Sequence, residues 1–373
     1  MNSIPVPTKT ALPLLFEPDD TLEMLADMLS RALAGQSGGH WREELWPMLA
    51  ELGLFAAVMP ERYGGYGGAR TAALVCRLLA GSGVVSPYAV SSAAIAPSLA
   101  ELDQPAGRVT ALLEALVEGR QVATIALHEV DALPVLRDFQ TVLSGAGEGQ
   151  WRLDGAKRMI AFAQEADWLV LPARNEAGHL VIIMLDRASF SPLLQPCTLI
   201  DSMPAADASF SGLVIDEDAI VAVGEQAESL LRGIVDRLTA AQCAEAVGAM
   251  AYMINATAEY LGVRRQFGQP LSAHQALRHR YVDMTIQQAK AETMAALAAT
   301  AVDQESPEQR DRALARARYV IVRAAWFVSQ ESIQMHGAIG MANETPVSGY
   351  FKRLLALSLW LGDEDDALEG LIA

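Results

Sequence analysis

Arg264-Arg265-Gln266-Phe267-Gly268-Gln269-Pro270-Leu271-Ser272-Ala273-His274-Gln275 is the stretch that decides the reading of this chain, together with Gln334-Met335-His336-Gly337-Ala338-Ile339-Gly340 further on. The cationic Arg264 beside aromatic Phe267 and turn-forming Gly268 suits a planar ligand that carries phosphate. The glycines of the second stretch let backbone N–H groups approach the same phosphates. Both stretches lie in an Ala-rich half with helical apolar spacing, so the strand–turn–helix setting of a Rossmann site is missing around them.

Outward from these stretches, the spacing predicts helices over 234–260, 271–302 and 308–336, with Pro307 suited to a first helical position. A fourth is predicted over 346–373. Broad apolar faces at 238–251 and 314–327 are those of buried bundle helices. Upstream, short β-rich runs at 121–127, 139–143, 151–160, 168–172, 179–185 and 208–215 are separated by Gly, Asp and Asn and read as strands. The first third reads as helices again, at 22–33, 45–52, 72–79, 90–102 and 109–117. The expectation is an α+β chain of three domains: an N-terminal helical domain (1–120), a middle β-domain (121–221) and a C-terminal four-helix bundle (222–373).

Composition narrows the function classes. The 373 residues are 51% hydrophobic, enough to fill a large core. A formal net charge of −17 argues against nucleic acid, whose binding needs clustered Lys and Arg. No uncharged apolar run is long enough to span a bilayer, and residues 1–10 lack a basic segment followed by an apolar one, so neither a membrane span nor a secretory signal is expected. Three scattered cysteines suit a reducing cytoplasm. Six histidines without paired ligand spacing point to no metal.

The order of these segments, the run Arg264-x-Gln266-Phe267-Gly268, and the run Gln334-x-His336-Gly337-Ala338-x-Gly340 resemble the acyl-CoA dehydrogenases. The stretch Glu51-Leu52-Gly53-Leu54 followed by Pro60-Glu61-Arg62-Tyr63-Gly64-Gly65 resembles a further segment of that family. The resemblance implies α,β-dehydrogenation of an acyl-CoA thioester, with FAD as hydride acceptor and a carboxylate base taking the α-proton. It gives Arg264 to the FAD pyrophosphate, and Gln266, Phe267 and Gln275 to further FAD contacts. It gives Gln334, Gly337 and Ala338 to the FAD of a neighbouring subunit, and so implies a dimer or a dimer of dimers.

Elsewhere the chain departs from the family pattern. His128, Leu133 and Pro134 replace the Thr, Gly and Ser of T-E-P-x-A-G-S-D. In G-x-K-x-W-I-T-N, Gly155 and Lys157 are kept, while Met159 stands for the Trp covering the flavin and Ala161 for the Thr that meets it. The usual base position falls on Leu361, and a second location used in the family falls on Leu238; neither takes a proton. Nearby carboxylates offer alternatives. Asp236 is a base or a helix-start acid, and Glu245 a base or one half of an ion pair with a neighbouring subunit. Asp363, with Glu364, is a base or part of an acidic turn opening the last helix. The remaining alternative is a subunit without a base that completes a partner's FAD site, as in the α2β2 heterotetramers of the family that act on steroid side chains. A flavin monooxygenase on the same fold has no residue in its favour. His336 reads as a packed or capping residue.

Overall fold

A computed structural model of the chain describes residues 20–34, 41–66, 68–103, 107–129, 138–147, 149–304, 306–360 and 362–372. The helices α1 (Asp20–Leu33), α2 (Trp46–Glu51), α3 (Leu54–Ala57), α4 (Gly68–Gly81), α5 (Tyr88–Val90), α6 (Ala96–Ala100) and α7 (Gly107–Val117) come first. Strands β1 (Ala123–Ile125), β2 (Val142–Gly147), β3 (Gln150–Ala161), β4 (Trp168–Asn175) and β5 (Leu180–Asp186) follow. Then come α8 (Arg187–Phe190), β6 (Leu194–Thr198), β7 (Pro204–Asp216) and β8 (Ile220–Val223). The last part holds α9 (Glu225–Val263), β9 (Arg265–Gln266), β10 (Gln269–Pro270), α10 (Gln275–Gln304), α11 (Pro307–His336), α12 (Pro346–Leu359) and α13 (Glu364–Ile372).

Two compact units emerge. One takes His40–Gly68 and Ser86–Leu238, the other Met1–Gly39, Ala69–Val85 and Thr239–Ala373. The first is built on a sheet of strand order β6-β7-β3-β2-β4-β5-β8, with β1 pairing parallel to β4. Its apolar face is filled by Leu153, Leu169, Leu171, Ile183, Phe190 and Phe210. The predicted strands form, but β6 and β8 are additions that the sequence pattern conceals. β6 is an exposed edge strand carrying Pro196, whose ring removes a ladder donor, so it lacks the alternation of a half-buried strand. β8 is four residues long and sits at the other edge.

The second unit is the helical bundle. Its core is drawn from α9 (Val247, Met250, Met253), α10 (Met284, Ala291, Ala295) and α11 (Leu314, Ile321, Val328). The abundant alanines let helix axes approach closely. α4 packs here too. A Cβ on Gly248 would lie 2.1 Å from the Arg77 carbonyl oxygen, so α4 and α9 meet backbone to backbone at a position only glycine fits. Arg77 pairs with Glu292 of α10 at 3.1 Å, and the Asp303 carboxylate accepts the Ala69 N–H at 2.9 Å, next to the positive end of α4.

One predicted helix is corrected. Residues 346–373 do not form a single helix: α12 ends at Leu359 and α13 begins at Glu364. Gly362 has φ +99, which breaks the helical path, and Asp363 starts a new helix by accepting the N–H groups of Asp365 (2.9 Å) and Asp366 (3.1 Å).

Candidate cofactor and catalytic sites

The quoted stretch forms the outer edge of the bundle unit. The Arg264 N–H still bonds the Tyr260 carbonyl in the last turn of α9 (2.8 Å), and the Arg264 carbonyl accepts the Leu271 N–H (2.8 Å). Between those bonds the chain makes a two-residue hairpin, β9 against β10. Its tip is Phe267 (φ +53) and Gly268 (φ +79), both left-handed as a type I′ turn requires. The turn throws the Phe267 ring outward, 89% exposed, with the His274 ring edge against it at 6.0 Å. Arg264, Gln266 and Gln275 are all exposed.

Gln334, Gly337 and Ala338 are exposed at the end of α11, where Gly337 (φ +66) closes the helix. Between them His336 turns inward. Its Nδ1 meets the Ser332 carbonyl at 2.8 Å and its ring stacks on Tyr260 at 4.5 Å. Burial pushes its pKa down, against the Ser332 hydrogen bond, which favours a neutral, packed imidazole. The Tyr260–His336 stack is what brings the two sequence stretches onto one edge. Tyr260 precedes the quoted run by one helical turn, and nothing in the spacing singled it out. The edge offers a guanidinium, three carboxamides, an accessible backbone at Gly337 and a bare aromatic ring. That donor set suits a diphosphate joined to planar rings.

The candidate bases differ in what holds them. Glu245 faces the Arg353 guanidinium of α12 at 3.1 Å, both side chains largely buried. Asp363 is the N-cap of α13, and Asp366 returns the bond by accepting the Asp363 N–H at 2.7 Å, a reciprocal box. Glu364 pairs with Arg323 at 3.0 Å. Asp236 is 7% exposed on α9, and Leu238 is buried beside it. Leu361, Leu133 and Pro134 lie outside the described residues.

The sheet unit explains the kept Gly155 and Lys157. Gly155 has φ +148, and a Cβ there would lie 2.8 Å from the Thr141 Cα, so β3 runs flush against Thr141. Two residues on, the Lys157 ammonium is fully buried, 2.6 Å from the Glu129 carboxylate and over the Phe139 ring. Glu129 also accepts the Gln140 N–H (2.5 Å), the Thr141 N–H (3.2 Å) and the Thr141 hydroxyl (2.6 Å). Burial pushes the Glu129 carboxyl up, but the Lys157 charge and these bonds outweigh it, leaving it below the usual range. Burial pushes Lys157 down to about 8, against the pull of Glu129. Beyond Lys157, Met159 is 42% exposed, whereas Ala161 and His128 are buried.

Among the described residues no helix is long and apolar enough to cross a membrane, and no group of three or more His, Cys, Asp or Glu is placed to hold a metal. Residues 23–108 match the family model for the acyl-CoA dehydrogenase N-terminal domain, and residues 235–371 match that for the C-terminal domain. An L-prolyl-[peptidyl-carrier protein] dehydrogenase of Pseudomonas fluorescens is 25% identical over 371 residues, covering 94% of this chain and 96% of its own. The ChsE4–ChsE5 complex of Mycobacterium tuberculosis has a chain of the same fold, with TM-score 0.82 at 22% identity over 94% of this chain and 96% of that one. A glutaryl-CoA dehydrogenase of Mycobacterium smegmatis, solved with FADH2, gives TM-score 0.82 at 18% identity over 95% and 94%. Helices, sheet and bundle in this order, both family models and near full-length relatives lead to one conclusion: the chain belongs to the acyl-CoA dehydrogenase family.

Proposed function

We propose that this chain serves FAD-dependent α,β-dehydrogenation of an acyl-CoA thioester in the cytoplasm, as part of an assembly of two or four like subunits. The observation that carries the reading is the exposed edge of the bundle unit. Its cation, carboxamides, open glycine and bare Phe267 ring fit FAD, and they face outward, as a contribution to a cofactor shared with a second subunit requires. Arg264 would neutralise the diphosphate. Gln266, Gln275 and Gln334 would bond its polar edges, Phe267 would lie against a ring, and the backbone at Gly337 and Ala338 would close on it. FAD supplies the acceptor for the hydride leaving the β-carbon. The protein's own duties are to hold the thioester, exclude water and take the α-proton at a carboxylate.

Asp236, largely buried on α9, stands as a candidate base in this chain beside Glu245 and Asp363. Glu245 is engaged by Arg353, and one Asp363 oxygen accepts two backbone N–H groups at the start of α13. Those engagements, with leucine at positions 238 and 361, favour a second reading: a subunit that completes the FAD site while a homologous partner supplies the base. The visible spectrum with FAD counted per subunit tests both. One FAD per subunit, bleached by a thioester and blocked by Asp236→Asn, supports the first. Little FAD in the chain alone, restored by co-expression with a homologous partner, supports the second. No FAD in either preparation refutes the proposal.

A further inference from the structure

β3 and β7 fall out of step twice, between Leu153 and Gly155 and again between Lys157 and Ile160. Lys157 faces Ala208 and Ile160 faces Ala206, so Arg158 and Met159 together oppose the single residue Asp207, which is a β-bulge. Met159 is left-handed there, with φ +49, a conformation that an unbranched apolar side chain gains nothing from by itself. The Asp207 carboxylate spans both bulged residues. One oxygen accepts the Met159 N–H at 2.9 Å, and the other meets the Arg158 guanidinium at 2.7 Å. The Arg158 N–H is taken by the His128 carbonyl at 2.9 Å. Lys157, the residue before, is fixed by Glu129. The result is a strained bulge with both its N–H groups bonded, which turns the Met159 side chain out of the ladder to 42% exposure. Strain that the surroundings over-determine in this way is a mark of a functional surface.

We propose that Asp207 is a positioning residue for the cofactor: it holds the Arg158–Met159 bulge in the shape that lays Met159 against the isoalloxazine ring. This rests on the function proposed above. Asp207 acts through the Met159 backbone, without touching substrate or cofactor itself.

The test uses the FAD-loaded assembly and, separately, the FAD-free protein. Asp207→Ala is expected to speed FAD release about tenfold or more, and Asp207→Asn, which keeps an oxygen for the Met159 N–H, to stay within about threefold of the parent. In a Met159→Gly background, where positive φ carries no strain, the Asp207→Ala penalty is expected to shrink to within about threefold. An equal penalty in both backgrounds, or unchanged FAD release in Asp207→Ala, overturns the proposal. Amide hydrogen exchange at Met159 in the FAD-free parent decides the matter if Asp207→Ala does not fold. Protection of about a hundredfold supports the clamp, and an unprotected amide overturns it. A parent that holds no FAD with or without a partner refutes the function proposed above, and the exchange experiment still judges the clamp.

Discussion

Replacing Lys157 by methionine should be among the most costly single changes in the sheet unit. The side chain is fully buried, and its ammonium is one of four donors on the Glu129 carboxylate. Methionine keeps the length and the contact with Phe139 but leaves Glu129 buried with three neutral donors. Breaking a buried pair by removing one partner costs about 3–5 kcal/mol, and the three remaining bonds place this case near the lower end. Urea unfolding followed by Trp151 and Trp168 fluorescence should show a midpoint lowered by about 1–2 M. Glu129→Gln combined with Lys157→Met should recover at least half of the loss, since it removes the stranded charge. The pH dependence gives an independent reading. Burial lowers the Lys157 pKa from 10.5 to about 8, so between those values the unfolded chain binds the proton that the folded chain has released. Stability of the parent relative to Lys157→Met should therefore rise with pH across that window, by about 3 kcal/mol in all. A loss below about 1 kcal/mol in Lys157→Met, or a relative stability that falls with pH between 8 and 10, would refute the reasoning.

Arg264→Ala should weaken FAD binding about 10- to 100-fold with little change in unfolding midpoint, and Arg264→Lys should recover part of it; titration by flavin fluorescence measures both. Leu361→Glu places a carboxylate at the family's usual base position. Steady-state oxidation of acyl-CoA by the chain alone should rise about a hundredfold or more if a missing base is what limits it, and an unchanged rate removes that explanation. Gly155→Ala should cost about 2 kcal/mol or more, because the new Cβ meets the Thr141 backbone at a φ that alanine avoids; calorimetry would show it, and a neutral result would place β3 and Thr141 further apart than described.

The element types were legible wherever burial imposes a period. The alternation at the start of β3, the continuous apolar run of β5 and the alanine-rich faces of α9 and α11 say what they are. The edge strands β6 and β8 carry no such imprint, since one is exposed and the other too short. The break between α12 and α13 was written in Gly362 and the acidic run Asp363-Glu364-Asp365-Asp366, a helix-ending residue followed by a cap, though the apolar run before it reads as one continuing helix. At the bundle edge the hairpin tip was readable from Phe267-Gly268, whereas the Tyr260–His336 stack joins residues that no local spacing relates. Asp207 was silent for a similar reason: a bulge is a mismatch between two strands, and neither strand contains the mismatch by itself.

The backbone contact between α4 and α9 bears on how the chain is made. Arg77 leaves the ribosome long before Gly248, and at about 5–20 residues per second the wait is about 10–30 s. For that interval α4 carries a buried-type face with no surface to close on, while most of the sheet unit, residues 86–238, emerges before Gly248. Helix α4 can close on α9 only after Gly248 has been made. Synonymous codon changes that slow synthesis between Gly81 and Gly248 should lengthen that exposure and raise chaperone dependence, without altering a single contact in the finished protein.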